Sequence, residues 1–171
     1  MLFIFMPLGR VMSQTHIRTF VSILPQAYFV ERIGGQHVTV HVLVGPGQSP
    51  ATYEPTPKQM AALGESQVYF RIGTPFEEAF MAKIAGTFKN LDIIDTRQGV
   101  PLRFFQRAGD KQVPDPHIWL DPKRVKIQAQ TISKALSRLA PAYAAEFENN
   151  LRTFQRDLDK VDATIAEALA T

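Results

Sequence analysis

An α/β fold is predicted: a parallel four-stranded sheet with flanking helices, followed by a long C-terminal spine helix. Three observations predict it. Short runs rich in β-branched and aromatic residues alternate with helix signals from Ile17 to Asp95, and strand, helix, strand, helix in that order winds into a parallel sheet with right-handed crossovers. One kind of helix start, a capping residue followed by Pro, recurs at Thr56-Pro57, Thr74-Pro75 and Asp121-Pro122. Apolar residues at helical spacing from Tyr143 to Leu169 mark a last helix longer than any before it.

Taken in order, Ile17 to Leu24 is a first strand, and Pro25 to Gly35 reads as a helix opened by Pro and closed by Gly. Val38-Thr39-Val40-His41-Val42-Leu43-Val44 is apolar apart from Thr39 and His41, the pattern of a strand buried on both faces of a parallel sheet. Gly45 to Pro50 breaks it. Thr56 as cap, Pro57 at the first helical position and Gln59 placed to close a capping box then open a helix through Met60, Ala61 and Leu63. Val68 to Ile72 is a third strand, and Thr74-Pro75-Phe76-Glu77 repeats the cap, Pro and acid before a helix through Phe80, Met81 and Ile84. Leu91 to Asp95 is the fourth. Gln98 to Val113 has no period and is expected to wander across the surface. From Pro122 a helix carries Val125, Ala129, Ile132, Leu136 and Leu139 on one face, and Pro141 ends or bends it. The last helix would be about 40 Å long at about 1.5 Å per residue. Its apolar stripe runs to the end of the helix; it packs on its own lobe, on a second body of protein or on a second copy, or stays partly exposed.

The 171 residues, 45% hydrophobic and 20% charged, match one globular domain with a sizeable core and argue against disorder. A formal charge of +3 is spread thinly: only Lys123-Arg124-Lys126 and Arg103/Arg107/Lys111 cluster, so a solvated face fits better than a nucleic-acid partner. With no cysteine, disulfides and thiolate metal sites are excluded, and any metal must be held by N and O ligands. Residues 1–16 form an apolar tail or degraded signal segment. Met1 to Gly9 resembles the apolar part of an export signal, but no Lys or Arg precedes it, Pro7 interrupts it and no small-x-small cleavage pattern follows. Translation from Met12 would remove it. No stretch is long enough to span a bilayer. The remaining organisation is an α/β lobe over 17–140 and the long helix over 141–171.

The stretch with the most chemistry is Asp115-Pro116-His117-Ile118-Trp119-Leu120-Asp121-Pro122. Asp121 caps a helix and Pro122 starts it, so His117 stands on a Pro-stiffened segment at the mouth of the fold, where a metal-ligating imidazole is useful. Loops at the carboxyl ends of parallel strands gather on one face, and 45–56, 73–76 and 114–122 are expected there together. On the same face Glu54 and Glu77 offer hard oxygen ligands, Glu54 with a structural hydrogen bond as an equally natural use. Trp119 is expected to pack beneath His117, and Asp115 to accept from its imidazole N–H. His16, His37 and His41 read as satisfied or solvated residues. An enzyme on a doubly wound sheet is the weakest alternative, since there is no Gly-x-Gly-x-x-Gly, P-loop, Gly-x-Ser-x-Gly or cysteine nucleophile.

Two stretches resemble one family. Pro50-Ala51-Thr52-Tyr53-Glu54-Pro55-Thr56-Pro57 is similar to the family pattern Pro-His-x-Tyr-Glu-Pro-Thr-Pro, and Asp115 to Pro122 matches the second signature throughout. The family is the zinc/manganese solute-binding proteins of bacterial ABC importers, the ZnuA/TroA-like group, and the resemblance runs from Arg18 to the end. It implies a non-enzymatic, periplasmic or otherwise extracytoplasmic protein that hands Zn2+, or alternatively Mn2+, to an ABC permease. It also implies His117 as a metal ligand and the long helix as the spine between two lobes. There are two departures. The family's ligating His after the first Pro is Ala51 here, and the second lobe that supplies the remaining ligands is absent from these 171 residues. Weak metal binding by this chain alone is therefore expected, with Glu54 or Glu77 as candidate substitutes for the missing ligand. Self-association through the spine helix, or a partner chain carrying the second lobe, are the partners to look for.

Overall fold

The computed structural model describes residues 16–106 and 112–170. Strands β1 (Ile17–Ile23), β2 (Val38–Val44), β3 (Val68–Arg71) and β4 (Asp92–Asp95) form one sheet in the order β2-β1-β3-β4, every pair parallel. β1 is central, and its apolar run is buried at every position except Arg18. The connections out of β1 and β2 leave to opposite sides of β1, so the crevice between the ends of β1 and β3 is the switch point at which such sheets bind ligands.

Helices cover both faces. On one, α1 (Leu24–Gly34), α4 (Pro122–Leu139) and α5 (Ala144–Leu169) pack with the sheet around Val21, Val30, Ile33, Phe70, Ile132, Leu136, Phe147 and Phe154. On the other, α2 (Pro57–Gly64) and α3 (Pro75–Thr87) pack around Phe20, Leu43, Leu63, Tyr69, Ile72, Phe80 and Ile84. α1 ends as its glycine signal requires: Gly35 takes φ 54°, and the Gly34 Cα lies so close to Val38 that a side chain would collide with it. α5, 26 residues and about 39 Å long, buries Phe147, Leu151 and Phe154 against α1 and α4. Val161, Ile165 and Leu169, further along, are 48%, 41% and 82% exposed. Its docking is fastened by His37, which is buried, stacks on Tyr143 at 3.8 Å and shares a 2.9 Å hydrogen bond with Glu146. Asn150 adds a bond to the carbonyl of Ile33 at 3.0 Å.

Three expectations need correction. β2 is an edge strand, not one buried on both faces: His41 is exposed, stacked on Phe20 at 5.1 Å, and Thr39, Val40 and Val42 are only half-buried. An apolar run of this kind covers one packed face and an open edge equally well. The stretch 98–113 is not wholly irregular, since β5 (Phe104–Gln106) and β6 (Gln112–Pro114) pair into a small antiparallel ribbon. Strands three residues long carry no detectable period. Thr74 does not cap α3 through its side chain; its hydroxyl donates to Glu77 instead, at 3.1 Å. The basic cluster on α4 is paired, Lys123 with Asp162 at 3.4 Å, Arg124 with Asp121 at 3.3 Å and Lys126 with Asp159. The signal-like reading of residues 1–15 and the cations Arg107 and Lys111 lie outside the described residues. Among the described residues no helix is long and apolar enough to cross a membrane.

Candidate metal-binding cleft

The first-motif loop is built by its own polar residues. The Thr56 hydroxyl and Gln59 form a reciprocal capping box on α2. Gln59 also accepts from the Tyr53 hydroxyl at 2.6 Å and donates to the carbonyl of Leu43, near the end of β2, at 2.8 Å. The Tyr53 ring meets Phe76 edge-on at 5.5 Å, and the Pro50 carbonyl accepts from the Phe76 N–H at 3.3 Å. The loop bearing Ala51 is thereby seated on the first turn of α3. Ala51 and Glu54 are both exposed.

The second motif is equally self-contained. Asp115 donates its backbone N–H to Arg103 at 2.8 Å, tying the segment to the ribbon side. Ile118 is fully buried, and its carbonyl accepts from Gln128 at 3.2 Å. The Asp121 carboxylate accepts from the N–H groups of Lys123 at 2.9 Å and Arg124 at 3.4 Å, capping α4. Between these anchors one oxygen of Asp115 accepts from both the backbone N–H of His117 at 3.0 Å and its ring Nδ1 at 2.6 Å. Partial burial pushes the Asp115 carboxyl up, but the two hydrogen bonds from His117 overcome it and hold it below the usual carboxylate range. An ionised carboxylate only accepts, so the imidazole proton sits on Nδ1 and the Nε2 lone pair is left for a ligand. Trp119 lies under the imidazole, ring centroids 5.0 Å apart.

His117 forms one wall of a cleft of about 440 Å³ at the carboxyl ends of β3 and β4, whose other walls include Arg71, Gly73, Glu78, Arg97 and Phe105. Beneath it lies a largely buried polar layer. Glu77 is fully buried, and its carboxylate accepts from Ser22, from the N–H groups of Ile72 at 3.0 Å and Gly73 at 2.7 Å, from Thr74 at 3.1 Å and from Arg71 at 3.3 Å. Because the Ser22 proton goes to Glu77, the Tyr69 hydroxyl donates to Ser22, at 2.6 Å. Burial, then the Glu77 charge, pushes the Tyr69 hydroxyl far up. Next to this layer Arg97 grips Asp95 through two nitrogens, Nε at 2.9 Å and Nη2 at 2.6 Å. Burial raises the Asp95 carboxyl, but the Arg97 hydrogen bonds and the charges of Arg97 and Arg71 pull it below its ordinary value.

Of the residues singled out from the sequence, His117, Asp115 and Trp119 stand together. Glu77 faces the interior with every acceptor position engaged, while Glu54 is exposed and does not line the cleft. Arg71, Arg97 and Glu78 were not anticipated. Arg71 is the last residue of β3 and Arg97 lies two residues beyond β4, so the rule that ligands gather at carboxyl ends contained the signal for them. Among the described residues no three His, Asp or Glu side chains converge into a complete cation site.

A family model, that of the zinc-uptake complex component A, periplasmic (ZnuA), matches residues 20–171. The chain belongs to the ZnuA family. A crystal structure of ZnuA superposes with a TM-score of 0.82 at 39% identity, covering 89% of this chain and 60% of that one. A zinc-bound ZnuA deletion mutant lacking 138–173 matches equally well, with a TM-score of 0.82, 41% identity and coverage of 89% and 58%. The manganese ABC transporter substrate-binding lipoprotein PsaA of Streptococcus mitis is 30% identical over 142 residues, 80% of this chain and 46% of the relative. This ZnuA family chain thus spans about half the length of the curated relatives it matches.

Proposed function

We propose that this chain is the metal-capturing lobe of an extracytoplasmic solute-binding protein that collects a divalent transition metal for an ABC permease, by binding alone and with no reaction catalysed. Residues 17–140 form the metal-binding lobe and 141–171 its spine. The observation that carries the reading is His117: an imidazole at the rim of an open cleft, with Nδ1 held by Asp115 at 2.6 Å and Nε2 unspent. Carboxylate–imidazole pairs of this kind orient ligating histidines and raise their basicity. Zinc is the preferred cargo and manganese the lesser one, since imidazole suits zinc better. A four-coordinate zinc site needs more donors than this lobe offers, so binding by the chain alone is weak, and a second lobe contributes the remaining ligands. Equilibrium dialysis of the metal-free chain against zinc and manganese separately tests the choice of metal. Zinc retained in preference to manganese supports it, and preferential retention of manganese overturns it.

A second reading, self-association through α5, draws on the exposure of Val161, Ile165 and Leu169. A mass by light scattering that rises with protein concentration supports it; a constant monomer mass excludes it.

A further inference from the structure

Ala51 has no donor atom in its side chain, and the two carboxylates suggested by the sequence do not line the cleft. Glu78 does. It stands in the first turn of α3, is exposed and lines the same cleft as His117. We propose that Glu78 supplies the oxygen ligand of this lobe and, with Nε2 of His117, forms a two-point seat for the divalent cation. The proposal rests on the metal-capturing reading above and names a ligand within it.

Three observations converge on this carboxylate. The hydrogen bond from Phe76 N–H to the Pro50 carbonyl, 3.3 Å, seats the Ala51 loop on the turn that bears Glu78. The 50–56 loop and Glu78 are therefore carried by neighbouring backbone. Second, Glu78 is uncommitted: among the described residues no hydrogen bond or ion pair holds its carboxylate. The Glu78 charge favours the cationic form of Arg97, but that guanidinium is already forked onto Asp95. Third, the arginines are already paired. Arg71 and Arg97, which also line the cleft, are offset by Glu77 and Asp95, so neither arginine holds Glu78 as its ion-pair partner. A carboxylate oxygen and an imidazole nitrogen are a donor pair that divalent transition metals accept, with water or other donors completing the shell.

Trp119, the only tryptophan of the chain, sits 5.0 Å from His117 and reports on metal there. The metal-free 171-residue chain is titrated with Zn²⁺ and followed by Trp119 fluorescence, in the wild type and in Glu78→Gln, Glu54→Gln and His117→Ala variants. Urea midpoints check that each variant is folded. Glu78→Gln is expected to raise the half-saturating zinc concentration at least about tenfold, the lower bound for losing even an outer-shell group, with Glu54→Gln unchanged. A wild type and a His117→Ala variant that titrate identically overturn the metal-capturing reading itself. A His117-dependent wild type with Glu78→Gln unchanged, or with the loss in Glu54→Gln instead, overturns the Glu78 assignment and leaves that reading standing.

Discussion

Replacing Glu77 by Gln is the sharpest probe of the layer beneath the cleft, because the substitution keeps shape and removes only charge and two acceptor positions. The carboxylate serves five donors. With the amide oxygen in the place of Oε1, the bonds from Ser22, Ile72 N–H and Thr74 survive. The amide nitrogen then faces the Gly73 N–H and the Arg71 Nε, donor against donor. Gly73 borders the cleft and recovers a water, and Arg71, 24% exposed, retains Asp95 at 3.8 Å. The loss is therefore below the about 3–5 kcal/mol of a fully buried broken ion pair, and about 2–3 kcal/mol is expected. For a chain of this size that lowers Tm by about 4–12 °C. Urea unfolding followed by circular dichroism measures it, and zinc binding to the folded fraction should be unchanged. A loss below about 1 kcal/mol would refute the network's structural role, and a loss of zinc affinity at unchanged stability would return Glu77 to the ligands.

Asp115→Asn keeps an acceptor for Nδ1 but removes the carboxylate charge that orients the imidazole, so zinc affinity by Trp119 fluorescence should fall about 10–100-fold; unchanged affinity contradicts the orienting role. The folded-state pKa of Asp95 is depressed, so its stabilisation is complete above its ordinary unfolded value of about 3.9 and is lost as pH falls through the folded value. Asp95→Asn should flatten this acid limb of the stability–pH curve, and an unaltered limb argues against the ion pair. Gly34→Ala would drive a Cβ into a Val38 methyl carbon and should cost about 1–3 kcal/mol. Gly86→Ala, with nothing within 4 Å, should instead stabilise α3 by about 0.5–1 kcal/mol. Equal effects of the two in urea unfolding contradict the close approach at Gly34.

What could be read from the sequence was what depends on near neighbours. The capping box at Thr56 and Gln59, the Asp121 cap and the Asp115–His117 pair are contacts across two or three residues, and each occurs in the structure. Sheet order is not written locally, which is why β2 looked central and lies at the edge. The ribbon of β5 and β6 depends on pairing between two three-residue segments on either side of residues 107–111. The inward placement of Glu77 and the outward placement of Glu78 were within reach. With Phe76, Phe80 and Ile84 buried on α3, Glu78 lies about 200° around the helix from Phe76 and must point outward. Glu77, about 100° away, falls where the helix meets the strand ends, and its interior partners Ser22 and Arg71 come from other strands. Long-range pairing of this kind leaves no local pattern.

The central claim, that this lobe holds a metal through His117, is tested most directly by calorimetric titration of the metal-free chain with zinc beside its His117→Ala variant, with mass followed by light scattering. The account predicts weak, His117-dependent heat at one zinc per chain, with dissociation in the micromolar-to-millimolar range and a mass that zinc does not change. Identical heats from the two proteins, or nanomolar binding by a monomer, would contradict it.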